Sequence, residues 1–350
     1  MEKRRLGRTD IMVSSLSLGT MTFGEQNSEH EGHAQMDLAF EHGVNLLDAS
    51  ELYPIPPKPE TQGRTEEIIG SWMKGRGNRD RVILATKVLG RSDNTWFRDD
   101  GSPTRLTRPQ MEEALNKSLK RLGTDYIDLY QLHWPDRHVI TFGSNPTAWA
   151  HVQPADDENR IEATLEVLGD FVRAGKVRHI GLSNESAWGT MTFLKHAEMK
   201  GLPRVVSIQN AYSLVNRTFE TGLAEVATRE DVGLLVYSAL AQGYLTGKYR
   251  NGALPKGARK TLFDRLQRYE KPGAEQAINA YLDLAGDLGM DPSQLAIAFA
   301  RSRSFVTTVL LGATSLAQLE VDLGAASIEV TAEIEARINA IHQLTGNPCP

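Results

Sequence analysis

Eight short runs rich in apolar and β-branched residues recur along this chain, and most of the intervals between them carry helical periodicity. The runs are SSLSLG (14–19), VNLLD (44–48), RVILATK (81–87), YIDLYQLH (126–133), VRHIGLS (177–183), VVSIQ (205–209), VGLLVYS (232–238) and VTTVLLGA (306–313). In one interval Met111, Ala114, Leu115, Ser118, Leu119 and Leu122 are spaced for a single helix face. Strands that alternate with helices pair in parallel, because each crossover helix returns the chain to the same end of the sheet. A count of eight favours closure into a (β/α)8 TIM barrel over an open doubly wound sheet, the runner-up. No G-x-G-x-x-G follows the first run, so the dinucleotide fingerprint of the open sheet is missing. Ahead of that run, KRRLG and IMVSS flank the turn residues Gly7-Arg8-Thr9-Asp10, which predicts an N-terminal β-hairpin plugging the barrel's bottom.

A chain of 350 residues fits within one such barrel, so 1–350 is expected to be a single domain. Hydrophobic residues at 40% and charged residues at 24% suit a large core under a polar surface. The net charge of -5, with signs interspersed, gives no footprint for nucleic acid or an anionic membrane and leaves a small molecule as the expected partner. One cysteine, Cys349, excludes an internal disulfide and a cysteine metal site. MEKRRLGRTD is followed by no apolar h-region and no stretch is long enough to span a bilayer, so the expected location is cytoplasmic. Oligomeric state is left open.

Two connections are long, 134–160 and 239–270, and such loops in a compact domain usually serve function. Capping-box patterns at Thr107-Arg108-Pro109-Gln110 and Ser315-Leu316-Ala317-Gln318 predict helix starts. A last helix is read at Thr331–His342, with 346–350 as a frayed tail.

Asp48, Lys87 and His133 each end a predicted strand, and Tyr53 lies in the loop after the second. Taken singly they read as a helix cap, a surface charge, a structural histidine and a loop tyrosine. Together they occupy the face that holds the active site in (β/α)8 barrels. A hydride arriving at a carbonyl carbon needs a proton donor for the developing alkoxide. Tyrosine, with an ordinary pKa of about 10, needs a nearby cation to support its phenolate. Lys87 can supply that cation, Asp48 can keep a buried Lys87 charged, and a neutral His133 can polarise the carbonyl oxygen.

GTMTFGEQNSE (19–29), GVNLLDASELYP (43–54), TDYIDLYQLHWPD (124–136), GLSNES (181–186) and YSALAQGYLTGKY (237–249), in this order, resemble the aldo-keto reductases. The similarity is to the branch of the bacterial Tas-like proteins and the potassium-channel β subunits, and it covers essentially the whole chain. It implies a catalytic tetrad of Asp48, Tyr53, Lys87 and His133, a cofactor NADP(H), and a small carbonyl substrate. The channel β subunits typically carry Asn at the position of His133, which sets this chain nearer to the ordinary reductases. The resemblance further implies that Ser183, Asn184 and Gln209 hold the nicotinamide carboxamide and that Tyr237 stacks on its ring. Gly19, Thr20, Met21 and Asp48 complete that end. Ser238, Leu240, Gln242 and Gly243 match the pyrophosphate loop, Lys248 and Arg259 the 2′-phosphate site, and Gly312, Thr314 and Gln318 the motif after the eighth strand.

That motif usually ends in Asn, whereas this chain has Val321-Asp322. An ionised Asp322 accepts hydrogen bonds but cannot donate one to an adenine ring nitrogen. Met21, Phe23, Trp96, Trp134 and Trp149 are the candidates for the substrate pocket, since aromatic walls suit carbonyl compounds. Two rivals stand beside the enzyme reading. One is a regulatory protein that binds NADP(H) with little turnover. The other is a metal-dependent barrel hydrolase or isomerase, disfavoured because Lys and Tyr hold the key places and no H-x-H or H-E-x-x-H occurs.

Overall fold

A computed structural model describes residues 1–139, 153–265 and 267–350. Strands β1 (Lys3–Arg5) and β2 (Met12–Ser14) form an antiparallel hairpin. The remaining eight are β3 (Leu16–Gly19), β4 (Leu46–Asp48), β5 (Ile83–Val88), β6 (Ile127–Leu132), β7 (Val177–Ser183), β8 (Val205–Ala211), β9 (Gly233–Tyr237) and β10 (Val306–Leu311). All are parallel, and β10 pairs with both β9 and β3, closing a barrel in the order of the chain. The open sheet is excluded. Ser14, read as part of the first barrel strand, belongs to the hairpin instead.

Side chains along a strand alternate between the barrel interior and the layer shared with the helices. Leu46, Ala85, Leu129, Leu235 and Leu310 come from five strands yet pack together, which marks the interior. Leu6, Ile11 and Val13 of the hairpin join them, so the hairpin closes the bottom with apolar contacts. Gly7 makes that fit possible: its φ is 54°, and a Cβ there would stand 2.6 Å from the Val206 carbonyl oxygen. Leu47, Leu84, Val88, Tyr130 and Leu132 belong to the outer core under the helices. Two residues beyond Leu46, Ala85, Leu129 and Leu235, the same alternation aims Asp48, Lys87, Gln131 and Tyr237 into the mouth at the strands' C-terminal ends.

The helix Arg108–Leu122 buries Met111, Ala114, Leu115, Ser118 and Leu122, the face expected from their spacing. Its start is built differently from the capping box read in the sequence. Thr107 makes no side-chain cap bond, and Gln110 instead accepts from the Arg105 N–H at 2.7 Å. Ser315 does cap the helix Leu316–Gly324, but Gln318 turns to Thr314, accepting from its N–H and hydroxyl at 3.0 Å each. A full capping box occurs where none was read, between Ser28 and Glu31. The last helix runs Ala332–Thr345, and the tail after it is docked rather than frayed. Asn347 accepts from the Arg217 N–H, the Cys349 N–H donates to the Val215 carbonyl at 3.1 Å, and Cys349 is fully buried.

Candidate active site

The Lys87 ammonium is fully buried and donates to Asp48 Oδ2 at 2.6 Å, to the Ala49 carbonyl at 2.8 Å and to the Tyr53 hydroxyl at 3.3 Å. Burial works against the charge on Lys87, but the Asp48 carboxylate and Tyr53 outweigh it and its pKa lies above the ordinary lysine value. The other oxygen of Asp48 accepts from Gln209 at 2.8 Å and from Gln131 at 3.2 Å, so both carboxylate oxygens have hydrogen-bond partners. Burial raises the Tyr53 pKa and Lys87 pulls it back only in part, so the phenol holds its proton. His133 meets the Tyr53 ring edge-on, with centroids 5.7 Å apart. Burial first, and then the Lys87 charge, depress its pKa well below the usual value, which keeps the imidazole neutral. Asp48, Tyr53, Lys87 and His133 are thus one cluster at the barrel mouth.

Several partners of this cluster were not read from the sequence. Ser50 Oγ lies 2.9 Å from His133 Nδ1. Glu51, two residues before Tyr53, forms a fully buried double contact with Arg98 at 2.8 and 3.0 Å, and it also accepts from the Leu89 N–H at 2.7 Å. This pair ties the loop after β4 to the loop after β5. Phe97, beside Arg98, packs with Leu52, Tyr53 and Leu89, and Met21, Ile55 and Trp134 lean on the same patch. Nothing in the local spacing marks these residues, because their partners come from other elements.

The remaining predicted residues divide. Ser183, Asn184, Gln209 and Tyr237 lie together: Ser183 Oγ donates to the Gln209 carbonyl at 2.8 Å, and Tyr237 donates to Asn184 Oδ1 at 2.6 Å. Asn184 also donates to the His133 carbonyl at 2.9 Å, which joins this group to the cluster. Thr20 is buried and turned back, its hydroxyl donating to the Asp48 carbonyl at 2.7 Å. Gly19 stands opposite Leu311 at the seam of the barrel, and Met21 accepts from the Ile55 N–H through its carbonyl. Ser238, Ala241, Gln242 and Gly243 all have positive φ, and the N–H groups of Ala241 and Gly243 donate to the Ser238 and Leu240 carbonyls at 2.8 and 2.9 Å. Leu240, between them, is half-buried against the core. Lys248 lies against Gly243, where an added Cβ would meet its Cε at 2.5 Å. A Cβ at Gly312 would meet nothing within 4 Å, so open space lies before the helix that Ser315 starts.

Among the pocket candidates, Trp134 stacks obliquely on His133 at 4.8 Å and donates its indole N–H to the Arg91 carbonyl. Trp96 is exposed and rests on Phe97 at 5.2 Å. Phe23 does not line the mouth: it is fully buried in the outer core, its ring against Gly32 and the helix Glu29–Glu41. Trp149 falls outside the described residues.

Comparison with known proteins shows the family of the chain. The model of the Aldo/keto reductase family matches residues 15–343. The chain belongs to that family. It is 48% identical to Protein tas of Escherichia coli (strain K12) over the full length of both. It is 32% identical to Uncharacterized oxidoreductase YrpG of Bacillus subtilis (strain 168), over 100% of this chain and 98% of that one. A Probable voltage-gated potassium channel subunit beta of Arabidopsis thaliana is 29% identical over 94% of this chain and 92% of its own. This aldo/keto reductase is therefore an oxidoreductase of the Tas-like and channel-β-like branch. No described helix is long and apolar enough to cross a membrane.

In this aldo/keto reductase Asp322 departs from the ionised carboxylate read in the sequence. Burial, then the nearby Asp291, push its pKa up to about 7, against a smaller opposing pull from Lys248. At neutral pH much of Asp322 is a carboxylic acid and can donate as well as accept. A folded-state pKa above the unfolded value of about 3.9 means the folded chain keeps a proton that the unfolded chain has lost, so stability falls as pH rises through this window. Asp322→Asn is expected to raise Tm more at about pH 8 than at about pH 5. An equal gain at both pH values would show that Asp322 does not titrate in this window.

Proposed function

We propose that this chain is an NADP(H)-dependent reductase that moves a hydride between the nicotinamide and a carbonyl or alcohol carbon of a small molecule, with Tyr53 as general acid and base. The observation that carries this reading is the single buried ammonium of Lys87 shared between the Asp48 carboxylate and the Tyr53 hydroxyl, 3.3 Å away. When bound, the cofactor supplies the hydride. Tyr53 gives its phenolic proton to the developing alkoxide, and Lys87 stabilises the phenolate left behind. Asp48 keeps Lys87 charged, and the neutral His133 directs an N–H at the substrate oxygen.

The cofactor residues suit a dinucleotide phosphate. Lys248 and Arg259 lie in one loop, the Arg259 charge bears unfavourably on Lys248, and among the described residues neither makes a salt bridge. A phosphate dianion is the chemistry that such a pair lacks. Thr314 and Gln318 are hydrogen-bonded to each other, and Asp322 is near enough to Lys248 to feel its charge. Ser238, Leu240, Gln242 and Gly243 would hold the pyrophosphate, Gly243 exchanging the bond its N–H now makes to the Leu240 carbonyl. Ser183, Asn184 and Gln209 would hold the carboxamide, exchanging some of the bonds they now make to one another. Tyr237, anchored by its hydroxyl on Asn184, would offer its ring to the nicotinamide. Residues 1–350 would act as one unit, in the cytoplasm, with no nucleic acid or membrane partner.

Turnover of aldehydes, ketones and quinones with NADPH tests the reading. A chain that binds NADPH and reduces none of them favours the regulatory alternative, which the channel-subunit relative brings into view. Arg259→Ala is expected to weaken NADPH binding by about 10- to 150-fold, the worth of one well-made charge-assisted contact, and to leave NADH nearly unchanged. Fluorescence titration distinguishes the two; equal losses would remove Arg259 from the 2′-phosphate site.

A further inference from the structure

Ser50 is fully buried, and its hydroxyl oxygen accepts from the Leu52 N–H at 3.1 Å. Its other partner among the described residues is His133 Nδ1, at 2.9 Å. A backbone N–H cannot accept a hydrogen bond, so the hydroxyl hydrogen has one acceptor within reach, the ring nitrogen. A buried hydroxyl left without an acceptor is costly, which fixes the direction of this bond: Ser50 donates and Nδ1 accepts. His133 is neutral, since burial and the Lys87 charge both oppose protonation. A neutral imidazole with an unprotonated Nδ1 carries its proton on Nε2. Among the described residues Nε2 makes no hydrogen bond, and it is not one of the buried atoms closed off from solvent.

We propose that Ser50 is a positioning residue that sets the tautomer of His133, so that Nε2–H, not a lone pair, faces the substrate oxygen. The bond does two jobs through one atom. It chooses which nitrogen keeps the proton, and through the Leu52 N–H it holds the ring to the loop that carries Tyr53, three residues on. The wrong tautomer would turn a lone pair toward the carbonyl oxygen and repel it. This proposal rests on the reductase reading for its kinetic consequence, but not for the tautomer itself.

The test uses the full chain labelled with 15N histidine, with the His133 signal assigned as the one lost in His133→Gln. Wild type should show His133 as the Nε2–H form at neutral pH. Ser50→Ala should shift it toward a mixture with the Nδ1–H form and lower kcat for aldehyde reduction by about tenfold, with KM changed much less. Ser50→Thr, which keeps the oxygen, should restore both. If Thr does not fit, the decisive arm is the double variant: in a His133→Gln background Ser50→Ala should cost little more in kcat, because its route of action is gone. Wild-type His133 in the Nδ1–H form overturns the proposal, and so does a Ser50→Ala loss of equal size in both backgrounds. A chain with no reductase turnover defeats the function instead, and the tautomer measurement then decides the role of Ser50 alone.

Discussion

Tyr53→Phe is expected to lower kcat for carbonyl reduction by roughly 100-fold or more, while cofactor affinity stays near normal. The phenol is the one acidic proton held at the mouth by Lys87, and phenylalanine removes it without changing the ring. That ring would keep its packing against Leu52, Leu89 and Phe97 and its edge contact with His133. Lys87 would still have Asp48 and the Ala49 carbonyl to satisfy it. The loss should therefore be chemical rather than structural. Steady-state rates beside a cofactor titration check it, and full activity in Tyr53→Phe would end the assignment of Tyr53 as proton donor.

Lys87→Met should cripple turnover too, and it should cost stability as well. Removing the cation leaves the Asp48 carboxylate buried with only the amides of Gln131 and Gln209, and breaking a buried pair in this way costs roughly 3–5 kcal/mol. Lys87 is also the main group that lowers the Tyr53 pKa against burial. Without it that pKa rises, and in the proposed mechanism, where the acid form of Tyr53 donates the proton, the alkaline limb of any residual activity should move to higher pH. An unmoved limb would show that Lys87 does not tune Tyr53. Adding Asp48→Asn should return much of the stability, by neutralising the stranded charge, without returning turnover.

The barrel and its mouth were legible because strand alternation is a strong signal. Asp48, Lys87 and His133 each close an apolar run, so their common face followed from periodicity once eight runs were counted. Phe23 was misplaced for the same reason in reverse. It follows a strand end, but the turn after β3 folds it under the helix Glu29–Glu41 rather than over the mouth. Ser50, Glu51, Gln131 and Arg98 left no trace, since the partners that matter, His133 for Ser50, Asp48 for Gln131, and Glu51 and Arg98 for each other, lie 47 or more residues away. The protonation of Asp322 was equally hidden. It depends on burial and on Asp291 across a helix packing, neither of which a sequence displays.

The Glu51–Arg98 pair also bears on how substrate scope could be re-engineered. The loop after β5 carries Trp96 at the rim and is the natural segment to exchange for that of a relative. Arg98 travels with it, and Glu51 stays behind beside Tyr53. A graft lacking an arginine at the matching place would strand a buried carboxylate two residues from Tyr53, the proposed proton donor, and is expected to lose activity toward every substrate at once. The two loops are best transplanted together, as one cassette.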